Sequence, residues 1–199
     1  MPDIKHFDPE AALEAAMRLF WRQGVAATGV QDVVNATGLN RSSLYATFGG
    51  KQDLYLAALR RYMQQWSESA FRRVAEDGRG LPAVCDFFAD LIEVRCSGEY
   101  ARWGCMMVNA HAGAGPEDPE VRALLDRQHQ LLRDALEAAL TRAEARGELS
   151  PHTDTAAAAD ALALLAYGVN VRSRAGADPA ALKRTVSAAL GAMARQPDH

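Results

Sequence analysis

The sequence predicts an all-α protein, and three observations carry that reading. Apolar residues make up 49% of the 199 residues, and many fall in alanine-rich runs with few β-branched clusters. The dipeptide Asp-Pro recurs at Asp8, Asp118 and Asp178. Each is a helix start, with a capping carboxylate and a proline at the first helical position, and two add a glutamate at the positive end of the dipole. Between such starts, apolar residues return three and four positions apart, which gives about nine helices.

The first helix opens at Asp8-Pro9-Glu10, keeps Leu13, Ala16, Met17 and Phe20 on one face, and stops at Gly24. Ahead of it, Lys5 and His6 are the candidate minor-groove or phosphate contacts. Thr28 stands three residues before Gln31, a capping-box spacing, and Val30, Val33 and Val34 share a face of the second helix. Gly38 supplies the positive-φ residue that ends it. Asn40 caps a third short helix with Leu44, Tyr45 and Phe48 on its inner side. Arg41, Ser42, Ser43 and Thr47 then face outward. Two short helices across a glycine-containing turn make a helix-turn-helix, whose second helix fits the DNA major groove.

A long helix over 51–76 follows, with Leu54, Leu59, Tyr62, Met63, Trp66 and Phe71 among its apolar positions, until Asp77-Gly78-Arg79-Gly80 breaks it. Leu81-Pro82 opens the next, through Phe87, Phe88 and Ile92 to about Gly98. Trp103-Gly104-Cys105-Met106-Met107-Val108-Asn109 begins a shorter helix that fades at Gly113-Ala114-Gly115-Pro116. Asp118 starts a helix that runs to Arg146-Gly147, Thr153 or Asp154 starts the next, and Asp178 the last.

The run from Thr37 to Leu54, TGLNRSSLYATFGGKQDL, resembles the signature of the TetR family of transcriptional regulators. The matching features are the turn glycine Gly38, the pair Leu44-Tyr45, Phe48, and the Lys51 to Leu54 opening of a long helix, with Leu19-Phe20 and Gly24 upstream. Gly50 stands where a capping serine is frequent, and Ala46-Thr47 replace the usual His or aromatic residues. The resemblance implies a three-helix DNA-binding domain over 1–50 and a helical ligand-binding and dimerisation domain over 51–199. It also implies a homodimer on double-stranded operator DNA, most simply a repressor released by a small molecule.

The candidate DNA contacts are Asn40, Arg41, Ser42, Ser43, Tyr45 and Thr47, with Gln31 beside them and Thr28 and Lys51 on phosphates. Two Ala-rich C-terminal helices suit the four-helix dimer bundle of that family, with Leu162, Leu165, Val186 and Leu190 as its expected residues. The middle helices would enclose the effector, with Trp66, Phe88, Trp103, Met107, His111 and Tyr167 as candidate lining. For each of these, ordinary core packing is the competing reading. Cys105 is a candidate sensor thiol, because the first turn of a helix favours the thiolate and Arg102 lies nearby; the competing reading is a buried small hydrophobe.

The remaining chemistry is sparse. The formal net charge is −3, so no generally basic coat exists, but Arg41 and Lys51 are the only charges between Asn40 and Gln52. Cys105 and His111, six apart, would face away from each other on one helix, so no nucleophile–base pair is formed. The five histidines are scattered, no metal-ligand spacing occurs, and no cofactor is expected. The start Met1-Pro2-Asp3-Ile4 lacks signal-peptide features, and the apolar tract 156–171 is interrupted by Asp160 and too short to span a bilayer. With three unpaired-looking cysteines, a cytoplasmic, non-enzymatic protein is expected. A helical module that binds a partner protein is a further class, but it leaves 28–53 unexplained.

Overall fold

A computed structural model describes residues 8–113 and 118–195. Lys5, His6, Pro116 and His199 lie outside the described residues. Ten α-helical segments occur among the described residues. They are α1 (Pro9–Gln23), α2 (Val30–Thr37), α3 (Arg41–Phe48), α4 (Lys51–Tyr62), α5 (Glu68–Glu76), α6 (Leu81–Cys96), α7 (Met106–His111), α8 (Pro119–Ala145), α9 (Thr155–Arg174) and α10 (Pro179–Met193). A π-helical segment, Met63–Ser67, joins α4 to α5, and the backbone stays right-handed helical across both joints. The three pieces therefore form one rod, which gives nine rods among the described residues, as expected.

The helix starts behave as their chemistry dictates. Asp8, Asp118, Asp154 and Asp178 each accept a backbone N–H from the first turn that follows. Of the two residues considered for α9, it is therefore Asp154 that caps. The second helix differs from expectation. Gly29, not Thr28, is its cap, and Asp32 closes the box by accepting the Gly29 N–H at 2.8 Å. Thr28 instead donates its hydroxyl to the Gly24 carbonyl at 2.7 Å, which tightens the loop after α1. At the turn into α3, Gly38 takes φ 71 and ψ 6, a left-handed conformation that a side chain would strain.

Two apolar clusters fill the interior. The first gathers Met17, Phe20 and Trp21 of α1, Val33, Leu44, and Leu54, Leu59 and Tyr62 of α4. It also takes in Met106, Met107 and Ala110 of α7 and Leu125 of α8, so the three N-terminal helices share a core with the rest of the chain. The second lies between α6, α8, α9 and α10, with Phe88, Leu136, Leu140, Leu162 and Leu190 inside. Tyr167 packs against both. A single antiparallel bridge between Leu149 and Ala194 fastens the end of α10 to the α8–α9 loop, reinforced by Ser150 Oγ donating to the Ala194 carbonyl.

Candidate nucleic-acid interface and effector cleft

The outward face of α3 is the first candidate surface. Leu44 is fully buried and Phe48, one turn later, is half-buried, which sets the inner edge of the helix. Residues rotated off that edge face solvent: Arg41, Ser42, Ala46 and Thr47 are exposed and Ser43 partly so. Tyr45, expected on the inner side, is 51% exposed. It directly follows Leu44, and one residue of a helix turns the side chain by about 100°. Asn40 caps α3 by accepting the Ser43 N–H at 2.8 Å, and its Oδ1 also accepts from Ser42 Oγ at 2.7 Å. Gln31 sits on the exposed face of α2, with its amide on Asn35 Oδ1 at 3.0 Å.

The two residues expected on phosphates are used internally. Thr28 is buried, its hydroxyl held by the chain, and cannot reach a ligand outside. Lys51 is half-buried, and its ammonium donates to the Val25 and Thr28 carbonyls at 3.1 and 2.9 Å. It pins the α1–α2 loop to the start of α4. Loop carbonyls without helical partners need donors, and a lysine one residue into α4 supplies them.

Behind this head, Trp21 at the end of α1 carries the contact with the larger domain. Its ring lies 4.9–5.4 Å from those of Tyr62, Trp66, Tyr100 and Trp103, and its indole N–H donates to the Gly104 carbonyl at 3.0 Å. Gly104 has φ 69, and a Cβ there would stand 3.0 Å from Asn109 Oδ1 and 3.3 Å from the Asn170 carbonyl, so a side chain would be strained and crowded there. Arg174 of α9 donates to the carbonyls of Trp103 at 2.8 Å and Arg22 at 3.2 Å. The ends of α1 and α9 are thus clamped together.

Arg95 of α6 is buried in the same place. Its Nε donates to Asn170 Oδ1 at 2.7 Å, its Nη2 to the Tyr62 hydroxyl at 3.0 Å, and its guanidinium faces the Trp21 ring at 5.9 Å. Burial opposes the charge of Arg95, but Tyr62 and the Cys105 thiol outweigh it and hold the guanidinium above its ordinary value. Burial drives the Tyr62 phenol far above the usual range. Sequence reasoning missed Arg95 and Trp21. The signal was present for the arginine, since Val84, Phe88, Ile92 and Arg95 follow helical spacing along one buried face.

The six residues proposed for effector contact separate. Trp66 lines a cleft of about 520 Å³ between the π segment with α5 and the facing side of α6. Phe88 and Met107 are fully buried core residues, and Trp103 belongs to the aromatic cluster. His111 and Tyr167 meet elsewhere, with Tyr167 OH 3.4 Å from His111 Nε2 and donating to Gln128 Oε1 at 3.3 Å. Burial lowers the His111 imidazole and pushes the Tyr167 phenol up to about 12. These five are not among the residues that line the α5–α6 cleft. Cys105 caps α7, a helix of six residues, and is 5% exposed. Its charged neighbour is Arg95 rather than the exposed Arg102.

The expected dimer residues also move. Leu162, Val186 and Leu190 are buried in the chain's own core, and Leu165 is half-buried. Leu164, 65% exposed, and Val171 lie on the opposite face of α9, in an exposed stripe with Ala157, Ala161 and Gly168.

Comparison with known proteins shows the family. Residues 12–58 match the family model for bacterial regulatory proteins of the tetR family, and residues 79–189 match a tetracyclin repressor-like C-terminal domain. The HTH-type transcriptional repressor ComR of Escherichia coli (strain K12) is 33% identical over 174 residues, 87% of this chain and 82% of that protein. The uncharacterized HTH-type transcriptional regulator YezE of Bacillus subtilis (strain 168) is 32% identical over 146 residues, covering 73% of this chain and 75% of YezE. Among solved structures, a cysteine mutant of the TetR family transcriptional regulator CifR, complexed with 26-bp double-strand operator DNA, superposes with a TM-score of 0.84. It is 26% identical and covers 96% of this chain and 99% of that one.

Proposed function

Because the chain belongs to the TetR family of bacterial regulatory proteins, it is a DNA-binding regulator of transcription, and we propose that it is a repressor released from its operator by a small molecule. Residues 1–50 act as the reading head and 51–199 as the sensing and dimerisation domain. The observation that carries the DNA-reading part is the solvent-facing side of α3, where Arg41, Ser42, Tyr45 and Thr47 stand clear of the core. Asn40 and Ser43 complete that face, and Gln31 flanks it from α2. The repressor reading follows ComR, which is named as one, and the operator reading follows CifR, which is seen on its operator.

A single helix-turn-helix gives little affinity, and a twofold dimer reads two half-sites about one helical turn apart. The exposed stripe of α9 from Ala157 to Val171 is the face suited to a second copy. A ligand that favours the non-binding arrangement must by linkage bind DNA-free protein more tightly than the complex. The burial of Cys105 places reversible ligand capture ahead of thiol modification as the trigger. Footprinting of purified protein on genomic fragments tests the reading. Protection of pseudo-palindromic sites is expected, and equal retention of genomic and random DNA overturns it.

A further inference from the structure

The α5–α6 cleft and the buried arginine belong together. Arg95 is one of the residues lining the cleft, along with the apolar surfaces of Trp66, Ala70, Phe87 and Leu91. It is only 7% exposed; Asn170 and Tyr62 bond it and the Cys105 thiol lies beside it, and none of these is a carboxylate. Its Nη1 is buried and has no hydrogen-bond partner among the described residues. A guanidinium carries five donors in a planar fork that matches a carboxylate, and a buried charge without a counter-charge is costly to keep. The acidic residues around the cleft do not supply one: Asp77 and Asp86 are both held by Arg79, at 2.6 and 2.9 Å, and Asp90 is exposed.

We propose that Arg95 is the anion anchor of this cleft, receiving the carboxylate of an amphipathic organic acid whose apolar body lies along Trp66, Phe87 and Leu91. The inference rests on the reading of the chain as a ligand-released repressor and names the effector's chemical class. It also gives the signal an entry point. The same guanidinium bonds Tyr62 of α4, the helix that leads to the reading head, and faces Trp21 of α1, which belongs to the head. A carboxylate that draws the fork toward the cleft alters both contacts at once.

The three tryptophans of the chain, Trp21, Trp66 and Trp103, all pack in this cluster, so intrinsic fluorescence reports on it. DNA-free protein is titrated with 4-phenylbutyrate and with its uncharged analogue 4-phenylbutanamide. The acid is expected to bind saturably and at least about tenfold more tightly than the amide. In Arg95→Gln, that preference disappears and both probes bind as the amide does. Absence of binding by the acid, equal binding of acid and amide, or an acid preference kept by Arg95→Gln overturns the proposal. Because Arg73 and Arg79 also line the cleft, Arg73→Gln and Arg79→Gln are titrated beside it, and loss of the acid preference in either overturns the assignment to Arg95 even where Arg95→Gln does not fold. A mobility shift on an operator fragment separates the two readings. Acid that binds but leaves the operator bound keeps the anion anchor and removes ligand release. Acid that releases the operator from Arg95→Gln as from the unaltered protein keeps release and removes the anchor.

Discussion

At the scale of single residues, Tyr45 and Lys51 should part company under mutation. The Tyr45 ring is half in solvent, so Tyr45→Ala should leave the melting temperature nearly unchanged while weakening operator binding by about 1–3 kcal/mol. Lys51→Ala removes two charge-assisted bonds to loop carbonyls, and a loss of about 1–3 kcal/mol of stability is expected, visible as a lowered melting temperature. Thermal melts beside mobility shifts distinguish the two. His111 carries a pH signature. Burial lowers its imidazole below the ordinary 6.5, so the unfolded chain takes up a proton at higher pH than the folded one. Its share of stability is therefore complete above 6.5 and is lost as pH falls through the lower folded value. Denaturant midpoints measured over that window should fall more gently in His111→Gln. An unchanged acid limb would show that the histidine does not contribute.

At the scale of elements, the α4–α5 rod and α9 each make a prediction. A π segment holds one residue more than an α-helix of equal length, and it places Trp66 between the aromatic cluster and the cleft. Deleting the exposed Gln64 should let the segment relax to α geometry. The expected protein is folded and binds operator, but its effector response is lost, which release assays would measure. On α9, Leu164→Glu should weaken dimerisation by at least about 2 kcal/mol while each monomer stays helical. Leu190→Glu puts a charge into the chain's own core and should unfold it instead. Sedimentation with circular dichroism tells these outcomes apart, and a dimeric Leu164→Glu would place the interface elsewhere.

At the scale of the whole molecule, charge and connectivity set the behaviour on DNA. The net charge of −3 leaves affinity to a few local cations, of which Arg41 is the one on α3. Each phosphate contact contributes about −0.9 to the slope of log affinity against log salt. Arg41→Ala should make that slope shallower and also relax discrimination between operators, as mobility shifts over a salt series would show. A loss of affinity with no change in slope would exclude phosphate contact by this arginine. The head does not move as a loosely tethered module. Trp21 and Arg174 bind α1 to the Gly104 turn and to α9, so any displacement around Arg95 acts on a shared core.

Local chemistry determined much of this protein from its sequence. The aspartate caps, Gly24, Gly38 and the apolar spacing delimit most of the helices closely, although the helix expected from Trp103 begins only at Met106, and 37–54 carry the family resemblance that the matched families bear out. These are short-range effects, set by neighbours along the chain. Tertiary structure decided where each face points. Thr28 has a suitable cap spacing, but a hydroxyl bond to Gly24 captures it. Tyr45, Leu162 and Leu164 are all apolar helix residues, and only the packing of neighbouring helices turns the first and third outward and the second inward. The Arg95 site joins α1, α4, α6 and α9, with Asn170 lying 75 positions from Arg95 along the chain. No pattern along the chain specifies that meeting, because it depends on how four helices cross, and that depends on the volumes of all the side chains between them.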